Sequence, residues 1–200
     1  SRDAASNAQF EIDRQLKAAD LLADARVDAI IWSGTAASWL GFDKDEQLCA
    51  AIHQRTGIPA SSSVLAVNRL FELAGVERFG LVTPYARAVQ DMIVANYAEL
   101  GLVCAEERHL GETCNFAFAD VTEDTIAAMV GEVAGAEPDA VVIMCTNMNG
   151  ARIAPALEQQ FGIPVFDSTS AGVWAGLQLA GREPQAVAGW GQMFGMSAGR

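Results

Sequence analysis

The chain has 200 residues, of which 51% are hydrophobic and 19% are charged, so the composition excludes a disordered protein and suits one large core or two small ones. The formal net charge is −12 and the 13 basic residues are scattered, which argues against a nucleic-acid partner because phosphate binding needs clustered Lys and Arg. Four cysteines at irregular spacing, and no apolar run near the roughly 18 residues of a membrane span, predict a cytoplasmic protein with free thiols and no membrane contact.

Apolar runs and amphipathic stretches alternate along the chain, a pattern typical of βα units around mostly parallel sheets. Strands are predicted at 27–33, 58–62, 78–83, 102–108, 139–144 and 163–167. Helices are predicted at 9–24, 43–56, 63–75, 85–100, 122–136, 150–161 and 168–180. Asp43 and Thr122 are expected to cap helices, and Gly57 and Gly162 to end them.

An internal sequence repeat is the most informative feature of this organisation. VDAIIWSGT at 27–35 matches PDAVVIMCT at 138–146 in register, and the tripeptide GIP follows both, at 57–59 and at 162–164. Two copies of strand, polar turn, helix, short strand and helix predict a duplicated α/β half. The alternative is that any two βα units show this degree of sequence similarity without a duplication.

A polar turn follows the first strand of each copy, SGTAAS at 33–38 and CTNMNG at 145–150. Ligands of open α/β sheets bind beyond the carboxyl ends of the strands, so two facing halves would place both turns in one crevice. Each turn precedes a predicted helix, whose free N–H groups and positive end can hold a carboxylate without a formal cation. The sequence therefore predicts a site for a small anion in an acidic protein.

Cys145 is the strongest candidate for chemistry. A thiol at a strand end just before a helix should have its pKa lowered from about 8.5 toward neutrality, where it can exchange a proton. The alternative is a buried, unreactive cysteine. When the two copies of the repeat are aligned, Cys145 corresponds to Gly34, so the two halves differ at this position.

Hydrogen-bond donors are expected around this thiol. The candidates on the two turns are Gly34, Thr35, Ala36, Ser38, Thr146 and Asn147. Tyr85 follows a third strand, and its hydroxyl can donate to a carboxylate. The alternatives are an ordinary glycine turn and a tyrosine packed at a helix start. Arg87 and Arg152 are further candidate anion partners, although such arginines usually face solvent.

The spacing of Cys104, His109 and Cys114 suggests a metal site, but structural zinc sites use closer pairs and four ligands. No metal is therefore expected, and Cys104 is interpreted as a core residue. The sequence contains no P-loop or dinucleotide-binding fingerprint.

Four segments, SGTAASWLG, LVTPY, MCTN and GIPVFDSTSAGVW, together resemble the maleate isomerase and arylmalonate decarboxylase branch of the aspartate/glutamate racemase superfamily. WSGTAASWLGF with CTN is most similar to the ectoine-utilisation members. The resemblance implies two flavodoxin-like parallel-sheet domains in pseudo-twofold arrangement, with a cofactor-free site between them. The first domain would comprise 1–76 plus 168–200 without the family's first strand, and the second 77–167. Fold analogy also suggests a homodimer.

The resemblance also implies a reaction at a carbon next to a carboxylate, with a small carboxylate or dicarboxylate as substrate. Racemases of the superfamily carry a cysteine in each half, whereas decarboxylases carry a glycine in the first half and protonate an enediolate with the second cysteine. Gly34 with Cys145 matches the decarboxylase arrangement. Two-base racemisation is disfavoured because Gly34 has no proton-transfer group. One-base proton transfer, decarboxylation and isomerisation by cysteine addition stay open.

The carboxylate site of these relatives maps onto neutral residues of this chain. Thr35, Tyr85 and Thr146 match positions that hold the substrate carboxylate, and Ala36 replaces a serine. Asn147 and Asn149 make the pocket more polar than that of the decarboxylases. The alternative function is a binding protein that holds a small carboxylate or an amino-acid-like ligand without turning it over.

Overall fold

The structure is a computed structural model that describes residues 12–197. The strands are β1 (Ile30–Trp32), β2 (Ala60–Ser62), β3 (Arg78–Thr83), β4 (Val103–His109), β5 (Ala140–Ile143) and β6 (Val165–Asp167). The helices are α1 (Ile12–Asp24), α2 (Ala37–Leu40), α3 (Asp43–Thr56), α4 (Ser63–Ala74), α5 (Arg87–Glu99), α6 (Glu123–Ala134), α7 (Ala154–Phe161) and α8 (Ser168–Leu179). Short 3-10 turns lie at Asn115–Asp120, Pro184–Ala186 and Gln192–Gly195.

Every predicted strand and helix forms, within a few residues of its predicted ends. Residues 9–11 of the first predicted helix lie outside the described part of the chain. Helix α2 and the 3-10 turns were not predicted. Between residues 12 and 197, none of the helices has the length and apolar character that a bilayer crossing needs.

All strand pairings are parallel. Strands β1 and β2 form a two-stranded sheet, and the other four form a sheet in the order β4-β3-β5-β6. The expected α/β fold with two parallel sheets is therefore confirmed. Parallel strands need a crossover between them, and the helices supply these crossovers.

The strand pairings are equivalent in the two copies of the sequence repeat. Trp32 of β1 lies opposite Ser62 of β2, and Ile143 of β5 lies opposite Asp167 of β6. Trp32 and Ile143 precede Gly34 and Cys145, respectively, by two residues. The two polar turns therefore leave their sheets at corresponding points, which favours a duplicated half over a chance likeness of two βα units.

Helix ends follow the predicted chemistry with one exception. The Thr122 side chain accepts a hydrogen bond from the first turn of α6. Gly57 and Gly162 follow α3 and α7 with φ of 72° and 71°, a left-handed conformation that glycine adopts without strain. The prediction that Asp43 caps α3 is wrong, because Asp43 is the first residue of that helix. Its charge there favours the positive helix end.

Helix α8 joins the two sheets. It follows β6 of the larger sheet, yet it packs against α4 and against both strands of the smaller one. A Cβ added at Gly172 or Gly176 of α8 would lie 3.3 or 3.2 Å from the Ile31 side chain of β1. This close approach packs β1 directly against the helix that follows β6. The domain boundaries given above stay a prediction.

Candidate active site

Three buried side chains from both sheets meet at the carboxyl ends of β1, β3 and β5. The Thr35 hydroxyl lies 2.7 Å from the Tyr85 hydroxyl, and the Tyr85 hydroxyl faces the Cys145 thiol and acts to lower the pKa of that thiol. The exposed fractions of the three residues are 5%, 7% and 2%. Residues that the sequence placed on three separate turns therefore form one buried row.

The Tyr85 ring is held by its own turn and by two aromatic neighbours. Thr83, the last residue of β3, accepts a hydrogen bond from the Tyr85 N–H at 3.2 Å and donates one to Gln90 at 2.6 Å. The rings of Trp39 and Phe118 pack edge-on against Tyr85, with centroids 5.1 and 5.5 Å away. The hydroxyl is therefore positioned before any ligand binds, and burial raises its pKa well above the usual value.

The prediction of a lowered thiol pKa is wrong. Helix α7 begins only at Ala154, so no helix end follows Cys145 directly. Burial raises the pKa of Cys145 above its ordinary value, and the Tyr85 hydroxyl and the N–H groups of Asn147 and Met148 offset this only in part. At neutral pH the group is a thiol with thiolate-stabilising donors around it. This arrangement suits a proton donor better than a resting nucleophile.

Gly34 carries no reactive side chain in the opposite turn, and a larger residue there would press against Trp32. A Cβ at this position would lie 2.8 Å from Nε1 of Trp32, so the indole would have to move. Ala36 is buried at the start of α2. The Ser38 hydroxyl donates to the Thr35 carbonyl at 2.7 Å and thereby closes the turn.

Thr146 and Asn147 point in different directions. The Thr146 hydroxyl donates to the Ser33 carbonyl at 3.5 Å, a contact that joins the two polar turns. The Asn147 side chain instead donates to Asn115 at 3.0 Å, toward the first 3-10 turn. Only the backbone N–H of Asn147 faces the thiol. The structure therefore places Thr146 between the two halves and turns the Asn147 amide away.

The two arginines proposed as anion partners each form a hydrogen bond to a glutamate. Arg87 donates to Glu107 at 2.7 Å, and Arg152 donates to Glu123 at 2.8 Å. An anion at the thiol would thus meet neutral donors. In the described part of the chain, no three His, Cys, Asp or Glu side chains are grouped to hold a metal, and His109 contacts Glu107 at 2.8 Å.

Two features near the thiol were missed at the sequence level. Asp167 caps α8 and is fully buried; an acidic residue at a strand end before Ser-Thr-Ser was its available signal. A cavity of about 620 Å³ lies beside Thr146, lined by 119–123, by the turn after Cys145, and by Thr169 and Trp190. No local pattern indicated the cavity, because its walls come from distant segments.

The fold and the site define a class: a parallel α/β protein of two sheets, with one buried thiol where they meet and a glycine at the matching place. The chain belongs to the arylmalonate decarboxylase family, whose family model matches residues 5–194.

The chain is similar in sequence to an arylmalonate decarboxylase and to a maleate isomerase. The chain is 32% identical to an arylmalonate decarboxylase of Bordetella bronchiseptica over 149 residues, which is 74% of this chain and 62% of that protein. It is 26% identical to a maleate isomerase of Nocardia farcinica over 180 residues, which is 86% of this chain and 71% of that protein. The matched region thus spans less than two thirds of the first relative.

Solved structures agree with this assignment. A crystal structure of arylmalonate decarboxylase superimposes with a TM-score of 0.82 at 28% identity, over 92% of this chain and 82% of that one. The Nocardia farcinica maleate cis-trans isomerase bound to TRIS gives a TM-score of 0.83 at 22% identity, over 91% of this chain and 76% of that one. At this lower identity the second likeness concerns the fold alone.

Proposed function

We propose that this protein is a cofactor-independent enzyme that acts at a carbon next to a carboxylate and uses Cys145 as its only proton-transferring cysteine. The observation that carries the proposal is the buried row of Thr35, Tyr85 and Cys145, which spans both sheets. The similarity to an arylmalonate decarboxylase and to a maleate isomerase supports the same class of reaction.

Among the reactions of this class, decarboxylation of a 2-substituted malonate fits the site best. Loss of carbon dioxide leaves its electron pair on the α-carbon and the remaining carboxylate as an enediolate. The Cys145 S–H bond then breaks as the new C–H bond forms. The thiolate is stabilised by Tyr85 and by the N–H groups of Asn147 and Met148 until it takes a proton from solvent.

The retained carboxylate would bind neutral donors. We assign this role to the hydroxyls of Thr35, Tyr85 and Thr146 and to the backbone N–H of Ala36. Donors fixed in a buried site stabilise the developing enediolate strongly, because they need no reorganisation during the reaction. Gly34 would leave the opposite face of the carbon without a proton donor. Asn147 would contribute its backbone N–H, since its side chain contacts Asn115.

Several finer assignments rest on the sequence resemblance alone. They are membership of the aspartate/glutamate racemase superfamily, a role in ectoine catabolism and a homodimer; the cytoplasmic location rests instead on the cysteine spacing and the lack of a membrane-length apolar run. They accompany the proposed function as predictions.

A substrate panel in deuterium oxide tests the reaction class. We expect 2-substituted malonates to release carbon dioxide and to take up one deuterium at the α-carbon, measured by mass spectrometry. Conversion of maleate to fumarate would instead identify an isomerase, and deuterium uptake by a monocarboxylate without carbon dioxide release would identify one-base exchange. A protein that binds these compounds and changes none of them would contradict the proposal and favour a binding function.

A further inference from the structure

Asp167 occupies an unusual position beneath the turn that carries the reactive thiol. Its Oδ1 accepts hydrogen bonds from the N–H groups of Thr169 and Ser170 at 3.0 and 2.9 Å. Its Oδ2 is buried and has no hydrogen-bond partner among residues 12–197. A Cβ placed at Gly150 would lie 2.9 Å from this Oδ2, so the turn that starts at Cys145 passes directly over it.

Helix capping alone does not require this carboxylate. At the corresponding place in the other half, Ser62 ends β2 and its hydroxyl accepts the N–H of Leu65 at 3.0 Å. Serine and aspartate are similarly good caps. A carboxylate that is buried with one oxygen unpartnered is unfavourable by comparison. The cap of α8 therefore does not by itself account for a charged residue at this position.

Strand pairing places this charge at the same end of the sheet as the thiol. Asp167 lies opposite Ile143 across β5 and β6, and Cys145 follows Ile143 by two residues at the same end of the sheet. The Thr169 side chain, in the first turn of α8, also donates to the Thr146 carbonyl at 3.4 Å. The cap of α8 and the Cys145 turn thus form one packed unit.

Two titratable groups act on the Cys145 thiol, Tyr85 from the turn after β3 and Asp167 from the end of β6. Burial is the larger reason that the pKa of Cys145 is raised, and the Asp167 charge acts in the same direction. The Tyr85 hydroxyl acts in the opposite direction. Burial also raises the pKa of Asp167 to about 6, so its carboxylate is charged at neutral and alkaline pH.

We propose that Asp167 is a positioning residue whose unpartnered oxygen, through its charge, adds to the effect of burial in favouring the protonated, proton-donating form of Cys145. This inference rests on the proposed function, in which Cys145 gives a proton to the α-carbon. After that transfer, a thiolate beside a carboxylate readily takes a proton back from solvent, which restores the starting state. An attacking thiolate would need the opposite environment.

Asp45 provides a matched control. Its carboxyl is also buried, its Oδ2 also has no partner in the described part of the chain, and burial raises its pKa to about 6. Its neighbours are Ser62 and the Cys49 thiol, in the half that carries Gly34. Asp45→Asn therefore removes a comparable buried charge away from Cys145.

The test is an NMR titration of protein labelled with ¹³C at the cysteine Cβ, with the Cys145 signal assigned by its loss in Cys145→Ala. Asp167→Asn keeps the shape and the cap but removes the charge. We expect it to lower the Cys145 midpoint by about one pH unit. Asp167→Ser, which copies the cap of Ser62, should lower it similarly. Asp45→Asn should leave it unchanged.

An unchanged Cys145 midpoint in both Asp167 variants, or an equal shift in Asp45→Asn, would overturn the inference. The titration needs no substrate, so its outcome is separate from that of the substrate panel. Turnover without a midpoint shift would contradict the role of Asp167 alone. A midpoint shift in a protein that turns over no carboxylate would contradict the proposed function alone.

Discussion

Cys145→Ala should reduce kcat by at least about a thousandfold on any carboxylate that the native protein turns over. The reason is that no second thiol lies on the opposite turn, where Gly34 faces Trp32. The other donors of the site would still bind the substrate, so KM should change much less than kcat. Steady-state kinetics of the purified variant give both values.

Cys49→Ala is the control for this substitution. Cys49 is also a buried thiol, and burial raises its pKa to about 12, but it lies on α3 and its charged neighbour is Asp45. This variant should keep the native kcat. A Cys145→Ala protein that is folded and retains more than about a tenth of the native kcat would contradict the assigned role.

Tyr85→Phe should lower kcat/KM by about a hundredfold, because it removes a fixed donor from the site of developing charge. It should also raise the pKa of Cys145, since the Tyr85 hydroxyl bond opposes the effect of burial on the thiol. Kinetics and the cysteine Cβ titration measure the two effects independently. The fold should persist, because the phenyl ring keeps its packing against Trp39 and Phe118.

The second tyrosine of the chain provides the comparison. Tyr97 is fully buried on α5, and its hydroxyl donates to Asn68 at 2.9 Å. Tyr97→Phe therefore also removes one hydroxyl hydrogen bond, worth about 1 kcal/mol of stability, but should leave turnover unchanged. Equal losses of activity in Tyr85→Phe and Tyr97→Phe would show a general effect of stability and would contradict the assignment of Tyr85.

The sequence predicted the order of strands and helices because each element is long enough to show its own periodicity. Helix α2 was missed because four residues carry no periodic signal. The helix predicted from residue 150 begins later because the turn after Cys145 must first pass over the side chains of Ile143 and Asp167, where Gly150 fits and a Cβ would not. That contact joins residues distant in sequence, so local patterns could not reveal it.

The site was predicted in part. The internal repeat singled out Cys145 and Gly34, and the order of the polar turns placed Thr35 and Tyr85 near them. The structure brings Thr35, Tyr85 and Cys145 together. The direction of the thiol pKa was wrong because it depends on burial, which is decided by packing across both sheets. The partners of Asn147 depend on the 3-10 turn that carries Asn115, which the sequence did not indicate.

The most direct test of the account uses a malonate with two different substituents at C2 in deuterium oxide, with the product analysed by chiral chromatography and mass spectrometry. In the proposed site Cys145 donates the proton on one face of the carbon and Gly34 offers no donor on the other, so the product should be a single enantiomer that carries one deuterium at its α-carbon. A racemic product from the native enzyme would contradict the account.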